Sequence, residues 1–278
     1  MRLLRDTWLI YQRQVLLQVR QPVWIFVGIF QPVMYLLLFA PLLKPALAPL
    51  GVTTNAEAYR IFVPGLLVLL AMFGGLFQGF GIIAELRAGI IERSRVTPVS
   101  RLALLLGRSL RDATTLIVQA GIITVLAVPF GLTAQLGYLL LAYLMLALIA
   151  LMTSAVSYAV ALKVRSEDAL APLMNTVSLP LFLLSGIMLP ISRDYGAPSW
   201  LVKLADVNPF SWAVDGIRAL FVGDIGNDAV WQGMLIVAVL AALAVAWAAR
   251  AAMKRVAPQI LTSPKESRKS VSRLLATS

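Results

Sequence analysis

Acids and bases alternate through one short stretch of this sequence. Glu85, Arg87, Glu92 and Arg93 surround Gly89, and Thr97, Pro98, Val99, Ser100 and Arg101 follow. Pro98 should stop any helix that begins upstream. A short charged helix with a hard stop can make ion pairs with a soluble partner. The same residues also suit an ordinary solvated loop, and periodicity alone leaves both readings open. Other chemistry is excluded by residue types that are missing. The 278 residues include no histidine and no cysteine. That removes disulfides, Cys/His metal centres, thiol nucleophiles and any triad that runs through an imidazole. No catalytic residue and no metal site is expected. The sequence has no Gly-x-x-x-x-Gly-Lys-Ser/Thr stretch, hence no phosphate loop of that type.

The elements that must position these charges are apolar. Sixty per cent of residues are hydrophobic and 13% are charged, and the mean hydropathy is +0.85. Soluble domains run near ~45–50% apolar and ~25% charged, so a soluble enzyme domain and a disordered chain are both excluded. The net charge is +11. Its distribution separates nucleic-acid binding from retention of basic residues on one side of a membrane.

Five runs carry no Asp, Glu, Lys or Arg: Pro22–Leu43, Ile61–Ala84, Ala113–Leu162, Ala169–Ser192 and Ala229–Ala249. A spanning helix takes ~20 residues, so the third run is two helices joined near Pro129-Phe130-Gly131. Six spans are expected, at about 22–43, 61–83, 113–130, 137–162, 169–190 and 229–249. With both termini inside, 19 of the 24 Lys and Arg lie on the inner side and five on the outer, as the positive-inside rule requires. That topology accounts for the basic excess, so no nucleic-acid partner is expected. The first apolar run exceeds the ~7–15 residues of a signal-peptide core and reads as an uncleaved span.

Outside the spans, residues 1–20 place Leu4, Trp8, Tyr11, Val15 and Val19 on one arc and Arg2, Arg5, Arg13 and Arg20 opposite. This pattern predicts an interfacial helix. Residues 85–112 read as the main cytoplasmic loop. The segment 193–228 carries Trp200, Phe210, Trp212 and Phe221 beside Pro198 and Pro209, which predicts short helices at or dipping into the outer interface. Residues 258–278 read as a basic disordered tail beyond a transmembrane domain of 1–257, and contact with anionic lipid is one use for its charges.

The spans hold packing features. Gly75 and Gly79 form a small-xxx-small pair that lets helices approach closely, and Pro32, Pro64 and Pro180 can bend their helices. Phe26, Phe30 and Met34 recur on one face of span one. Phe73, Phe77 and Phe80 cluster in span two, and Phe182 lies in span five. These side chains serve helix packing and lipid contact, or line a path for a hydrophobic solute. The apolar runs lack the mid-membrane charges of ion-coupled carriers, so the energy source is expected on another chain.

Three stretches resemble the ABC-2 type permease family, the membrane subunits of ATP-binding cassette exporters, and especially its daunorubicin-resistance-like drug-efflux permeases. They are Ile29-Phe30-Gln31-Pro32-Val33-Met34; Glu85-x-Arg87-x-Gly89-x-x-Glu92-Arg93 through Thr97-Pro98-Val99-Ser100-Arg101; and Pro180 to Ser185-Gly186-x-x-x-Pro190, followed by Pro198-x-Trp200-Leu201 and Asn208-Pro209. The resemblance implies an all-α integral membrane fold of six helices behind an amphipathic connecting helix, in a bacterial plasma (inner) membrane. It implies a second permease copy and two ATP-binding subunits that hold ATP and Mg. It makes Glu85, Arg87, Gly89, Glu92, Arg93, Thr97 and Pro98 the coupling element. Ser185, Gly186, Pro190, Trp200 and Pro209 become parts of an outer re-entrant exit. Leu86 and Ala88 stand where the family often has a further acid–base pair. An exporter of lipid, glycolipid or polysaccharide is the rival within the same machinery. A self-contained carrier or channel, and an intramembrane enzyme, are more distant ones.

Overall fold

The computed structural model describes residues 2–20, 23–48, 51–88, 101–133, 135–188, 190–191 and 196–253. Among them the chain is helical, without strands. The helices are α1 (Arg2–Val19), α2 (Val23–Leu47), α3 (Asn55–Leu76), α4 (Gly79–Arg87), α5 (Arg101–Ala127, ending in a 3-10 turn at Val128–Phe130), α6 (Leu136–Val164), α7 (Glu167–Leu183), α8 (Ser199–Val207), α9 (Pro209–Val222) and α10 (Asp228–Met253). The basic tail of 258–278 lies outside the described residues.

Among the described residues four stretches are long and apolar enough to cross a membrane: Asn55–Arg87, Leu102–Phe130, Leu136–Val164 and Asp228–Ala252. The two legs of α2, Phe26–Phe39 and Pro41–Leu47, pass together as a fifth and meet at 64°. The bend falls at Pro41, which has no N–H to give and whose ring crowds the preceding turn. Six spans were expected from the sequence. The stretch in question is α7, whose 17 residues reach about 26 Å at the α-helical rise. That falls short of a ~30 Å hydrocarbon core, and the helix opens with Glu167 and Asp168.

Several boundaries differ from the expectation: α7 ends at Leu183 rather than near 190, and α2 and α4 run four residues past the expected ends of spans one and two. Span two begins earlier, at Asn55, behind a capping box. The Thr54 hydroxyl accepts from Glu57 N–H at 3.2 Å, and the Glu57 carboxylate accepts from Thr54 N–H at 3.1 Å. Each group satisfies an end donor that the helix cannot. A further correction concerns the loop read at 85–112. Residues 101–112 belong to α5, which continues unbroken into the apolar run. Arg108, Arg111 and Asp112 fall three and four residues apart, on one helix face. The leucines before them favour helix, and the charges find partners there, so nothing breaks the element.

Helix α6 is the hub. It is apolar on every side, as a membrane-spanning helix is; Leu136, Leu140 and Leu144 face outward, and the rest packs on α10, α3, α5, α4 and α9. The α3–α6 approach depends on missing side chains. A Cβ on Gly75 would lie 1.8 Å from Thr153 Oγ1, and one on Gly79 would lie 2.7 Å from Ser157 Oγ. The expected small-xxx-small contact is therefore present, with α6 as the partner.

Between the two glycines the helix is interrupted. Ser157 reaches in from α6, donates to the Leu76 carbonyl and accepts from Gly79 N–H at 2.9 Å. Phe80 N–H then bonds Phe77 O at 3.2 Å in an i→i−3 pattern. An inserted side chain that takes over ladder partners is a recognised cause of a helix break. This one separates α3 from α4 without a proline.

Helix α1 lies along α5. Its inner face is mixed: Thr7, Ile10, Tyr11, Gln14 and Gln18 are partly buried, while Leu4, Trp8 and Val19 are exposed. Tyr11 bonds Thr114 at 3.2 Å, and Thr115 donates to Gln18 at 2.9 Å. Of the arc predicted to face the membrane boundary, Leu4, Trp8 and Val19 are exposed, whereas Tyr11 and Val15 are partly buried. The polar residues between them serve α5. Gly107 is the close point, since a Cβ there would lie 2.7 Å from Ile10 Cγ2 and 3.1 Å from Thr7 O. Gly107→Leu is expected to lift α1 off α5. A cysteine placed at Ile10 in this cysteine-free chain should then react faster with a water-soluble maleimide than it does with Gly107 intact.

Candidate functional site

The first sequence-predicted group is the charged element after span two. Of its residues, Glu85 and Arg87 lie in the last turns of α4, whereas Gly89, Glu92, Arg93, Thr97 and Pro98 lie outside the described residues. Glu85 pairs with Arg108 of α5, both side chains mostly buried. Arg87 pairs with Glu167 at the start of α7, at 3.3 Å and exposed to solvent. The two ion pairs therefore tie the end of α4 to two other helices, one on each side.

A second pair lies deeper. Arg111 contacts Asp112 at 2.6 Å, and the Asp112 carboxylate accepts from Tyr158 of α6. Asp112 and Tyr158 are buried. A carboxylate can remain in such a place only when a cation and donors surround it. The cluster thus joins α4, α5, α6 and α7 at the end of the bundle from which residues 89–100 depart. The sequence reading missed Arg108, Asp112 and Tyr158. The available signal was the three- and four-residue spacing of Arg108, Arg111 and Asp112, which puts them on one face of a helix.

The second predicted group, the apolar path, divides in two. Phe73 stacks on Phe77 with centroids 6.2 Å apart, Phe77 stacks on Phe80 at 5.9 Å, and Phe182 of α7 meets Phe73 edge-on at 6.1 Å. These rings form one aromatic cluster around the α3–α4 break. Phe26 and Phe30 of α2 are 73% and 64% exposed, and Met34 is partly buried. They belong to a separate outward face. Between α6, α7, α9 and α10 is an open apolar pocket of about 400 Å³ whose lining includes Leu76, Phe210 and Trp247.

The third predicted group lies at the opposite end. Helix α7 stops at a tight turn: Ser185 Oγ donates to Phe182 O at 2.6 Å, and Gly186 takes φ +67°, a conformation that suits glycine. Ile187 is buried against α3, where its carbonyl oxygen would lie 2.2 Å from a Cβ on Gly65. Asn208 caps α9 through Phe210 N–H at 3.0 Å and donates to Leu181 O at 2.6 Å. Pro209 is at the first helical position, where its missing N–H costs nothing. Ser211 donates to Leu184 O at 2.8 Å. The Asn208-Pro209 pair therefore starts α9 and docks it on the end of α7. Pro190 is half-buried, and Trp200 is exposed on α8.

Helix α9 enters the bundle, with Phe210, Val214, Ile217 and Phe221 buried against α10, α3 and α6. Beside that stripe is Arg218, which the sequence reading did not single out. Its guanidinium donates to Ile61 O at 3.0 Å, Gly186 O at 2.7 Å and Ile187 O at 3.2 Å. The apolar stripe at 210, 214, 217 and 221 was the signal that this segment is an inserted helix with Arg218 at its edge.

The geometry describes a multi-pass membrane bundle with an ionic junction at one end, an aromatic cluster at a broken helix, and an inserted helix closing the other end. Known proteins share this chain's pattern. Residues 5–222 match the model of the family described as "ABC-2 type transporter". The "Putative transport permease ycf38" of Cyanophora paradoxa is 27% identical over 205 residues, covering 73% of this chain and 69% of that protein. The ycf38 protein of Pyropia yezoensis is 26% identical over 212 residues, 75% of this chain and 71% of its own length. The "Daunorubicin resistance ABC transporter permease protein DrrB1" of Streptomyces coeruleorubidus is 25% identical over 229 residues, 82% of this chain and 77% of its own. The chain belongs to the ABC-2 type transporter family.

Proposed function

We propose that the chain is the permease subunit of an exporter whose ATP and Mg are bound by a separate ATP-binding subunit, present in two copies. A second permease copy completes the path. The cargo is a hydrophobic, drug-like solute, and the setting is a bacterial plasma membrane with both termini cytoplasmic. The observation that carries this reading is the ionic junction at the end of α4. Glu85–Arg108 and Arg87–Glu167 connect the root of the 89–100 segment to α5 and α7. A push on that segment reaches two other helices through ion pairs rather than through a loose loop. The likeness to a permease named for daunorubicin resistance supports a drug as cargo.

ATP-driven closure of the partner subunits moves the 85–98 element. The tilt of α2, α3 and α7 then changes, and solute held between two copies is released outward. The work comes from the different affinities of the inward and outward states.

The test uses the complex reconstituted with its ATPase. Glu92→Lys and Glu85→Arg are each expected to bring solute-stimulated ATP hydrolysis down to the basal rate, and Glu85→Arg with Arg108→Glu is expected to restore it. Unchanged coupling in both single variants, or uphill transport by this chain alone in liposomes, refutes the reading.

A further inference from the structure

An open-sided apolar trough of about 660 Å³ runs along α5, α6 and α10, on the outside of the bundle. Leu102 and Leu106 of α5 and Leu148 and Leu151 of α6 form one wall. Helix α10 supplies alanines from Ala238 to Ala249, whose short side chains let the surface recede. The single charged lining residue is Arg250, at the last turn of α10.

Three features indicate what fits there. Twelve helical steps separate Ala238 from Arg250, about 18 Å at the α-helical rise. That is close to the ~15 Å of hydrocarbon in one leaflet. The trough is therefore as long as one acyl chain and ends at headgroup depth. Arg250 is exposed there and makes no ion pair or hydrogen bond among the described residues. Helix α5 begins at the same end, with Leu102 as its second residue, and so adds the positive end of its dipole. Apolar walls with a cationic rim complement a lipid that has a negative headgroup. A zwitterionic lipid fills the trough equally well but brings an ammonium group that offsets the attraction.

We propose that this trough binds one anionic glycerophospholipid, its acyl chain against the alanines of α10 and its phosphate at Arg250. The purified full chain is exposed to equal phosphatidylglycerol and phosphatidylcholine, and lipid retention is read by native mass spectrometry. Phosphatidylglycerol is expected to be retained about fivefold more, the ratio that ~1 kcal/mol per basic residue near a headgroup produces. Arg250→Gln is expected to level the two lipids. Ala242→Leu with Ala246→Leu fills the trough at two exposed positions and is expected to lower retention of both. Equal retention by the unaltered chain, a preference that survives Arg250→Gln, or full retention by the filled variant overturns the proposal. So does disulfide formation between two chains carrying Ala246→Cys, which would show a second copy covering the trough.

Discussion

Gly75→Ala is expected to disrupt the bundle, although it adds one methyl group. The new carbon would lie 1.8 Å from Thr153 Oγ1 and 2.7 Å from Thr153 Cβ, with Ser154 N at 3.1 Å. The hydroxyl can turn away, but the Cβ and the backbone cannot. The two helices must therefore separate, and the Ser157 bonds at the break stretch with them. Overpacking of this kind costs about 1–3 kcal/mol and occasionally more, and an unyielding backbone contact places this site at the upper end. Close approach through small residues is also a main source of helix association in lipid. Gly81→Ala is the matched control, because nothing lies within 4 Å of its added carbon. Detergent-titration unfolding followed by tryptophan fluorescence should show a large loss for Gly75→Ala and almost none for Gly81→Ala. Equal losses would remove the close approach as the cause.

Arg218→Leu is expected to have the other large effect. Its guanidinium serves the carbonyls of Ile61, Gly186 and Ile187, and a leucine leaves the two turn carbonyls without that donor. Hydrogen bonds to charged groups contribute roughly 1.5–3 kcal/mol each, and losing two puts the destabilisation at about 3 kcal/mol or more. Arg218→Lys keeps the charge but not the planar fork that reaches separate carbonyls, so it should recover only part of the loss. The readout is local as well as global. A cysteine at Ile187, buried beneath α9 in the unaltered chain, should become reactive to a maleimide in the leucine variant. If it stays unreactive, Arg218 does not hold the turn.

The sequence was most informative where one physical rule acts alone. Hydrocarbon length and the absence of charge located α6 and α10 within a few residues, and Pro129 with Gly131 placed the joint between α5 and α6. The rule misled where charge and helix coincide. Stopping each run at its first charged residue cut α5 at Ala113, although Arg108, Arg111 and Asp112 sit inside the helix because Glu85 and Tyr158 meet them there. No local pattern announces a partner 23 or 46 positions away. Gly75 and Gly79 were legible as a pair, but their partner was not, because it depends on which residues of α6 come opposite. The aromatic set divided for the same reason. Phe73, Phe77 and Phe182 converge through tertiary packing, while Phe26 and Phe30 share only a helix face. In the 193–228 segment, aromatic content indicated an interface. Helices dipping into that interface were expected as well, and the apolar stripe at Phe210, Val214, Ile217 and Phe221 is what identifies α9 as the one that enters deeply.

The break at Phe77-Gln78 has a mechanical consequence. Bending an intact helix strains consecutive backbone bonds that nothing else can replace. Here the Leu76 carbonyl and the Gly79 amide already rest on a side chain of α6, which follows a change of angle by rotating about one torsion. The pivot also belongs to the neighbouring helix rather than to the segment that turns. The short arm ending in Glu85 and Arg87 thus meets α3 at a joint whose bonds are fastened to the centre of the protein, as a lever needs its fulcrum fixed to the frame.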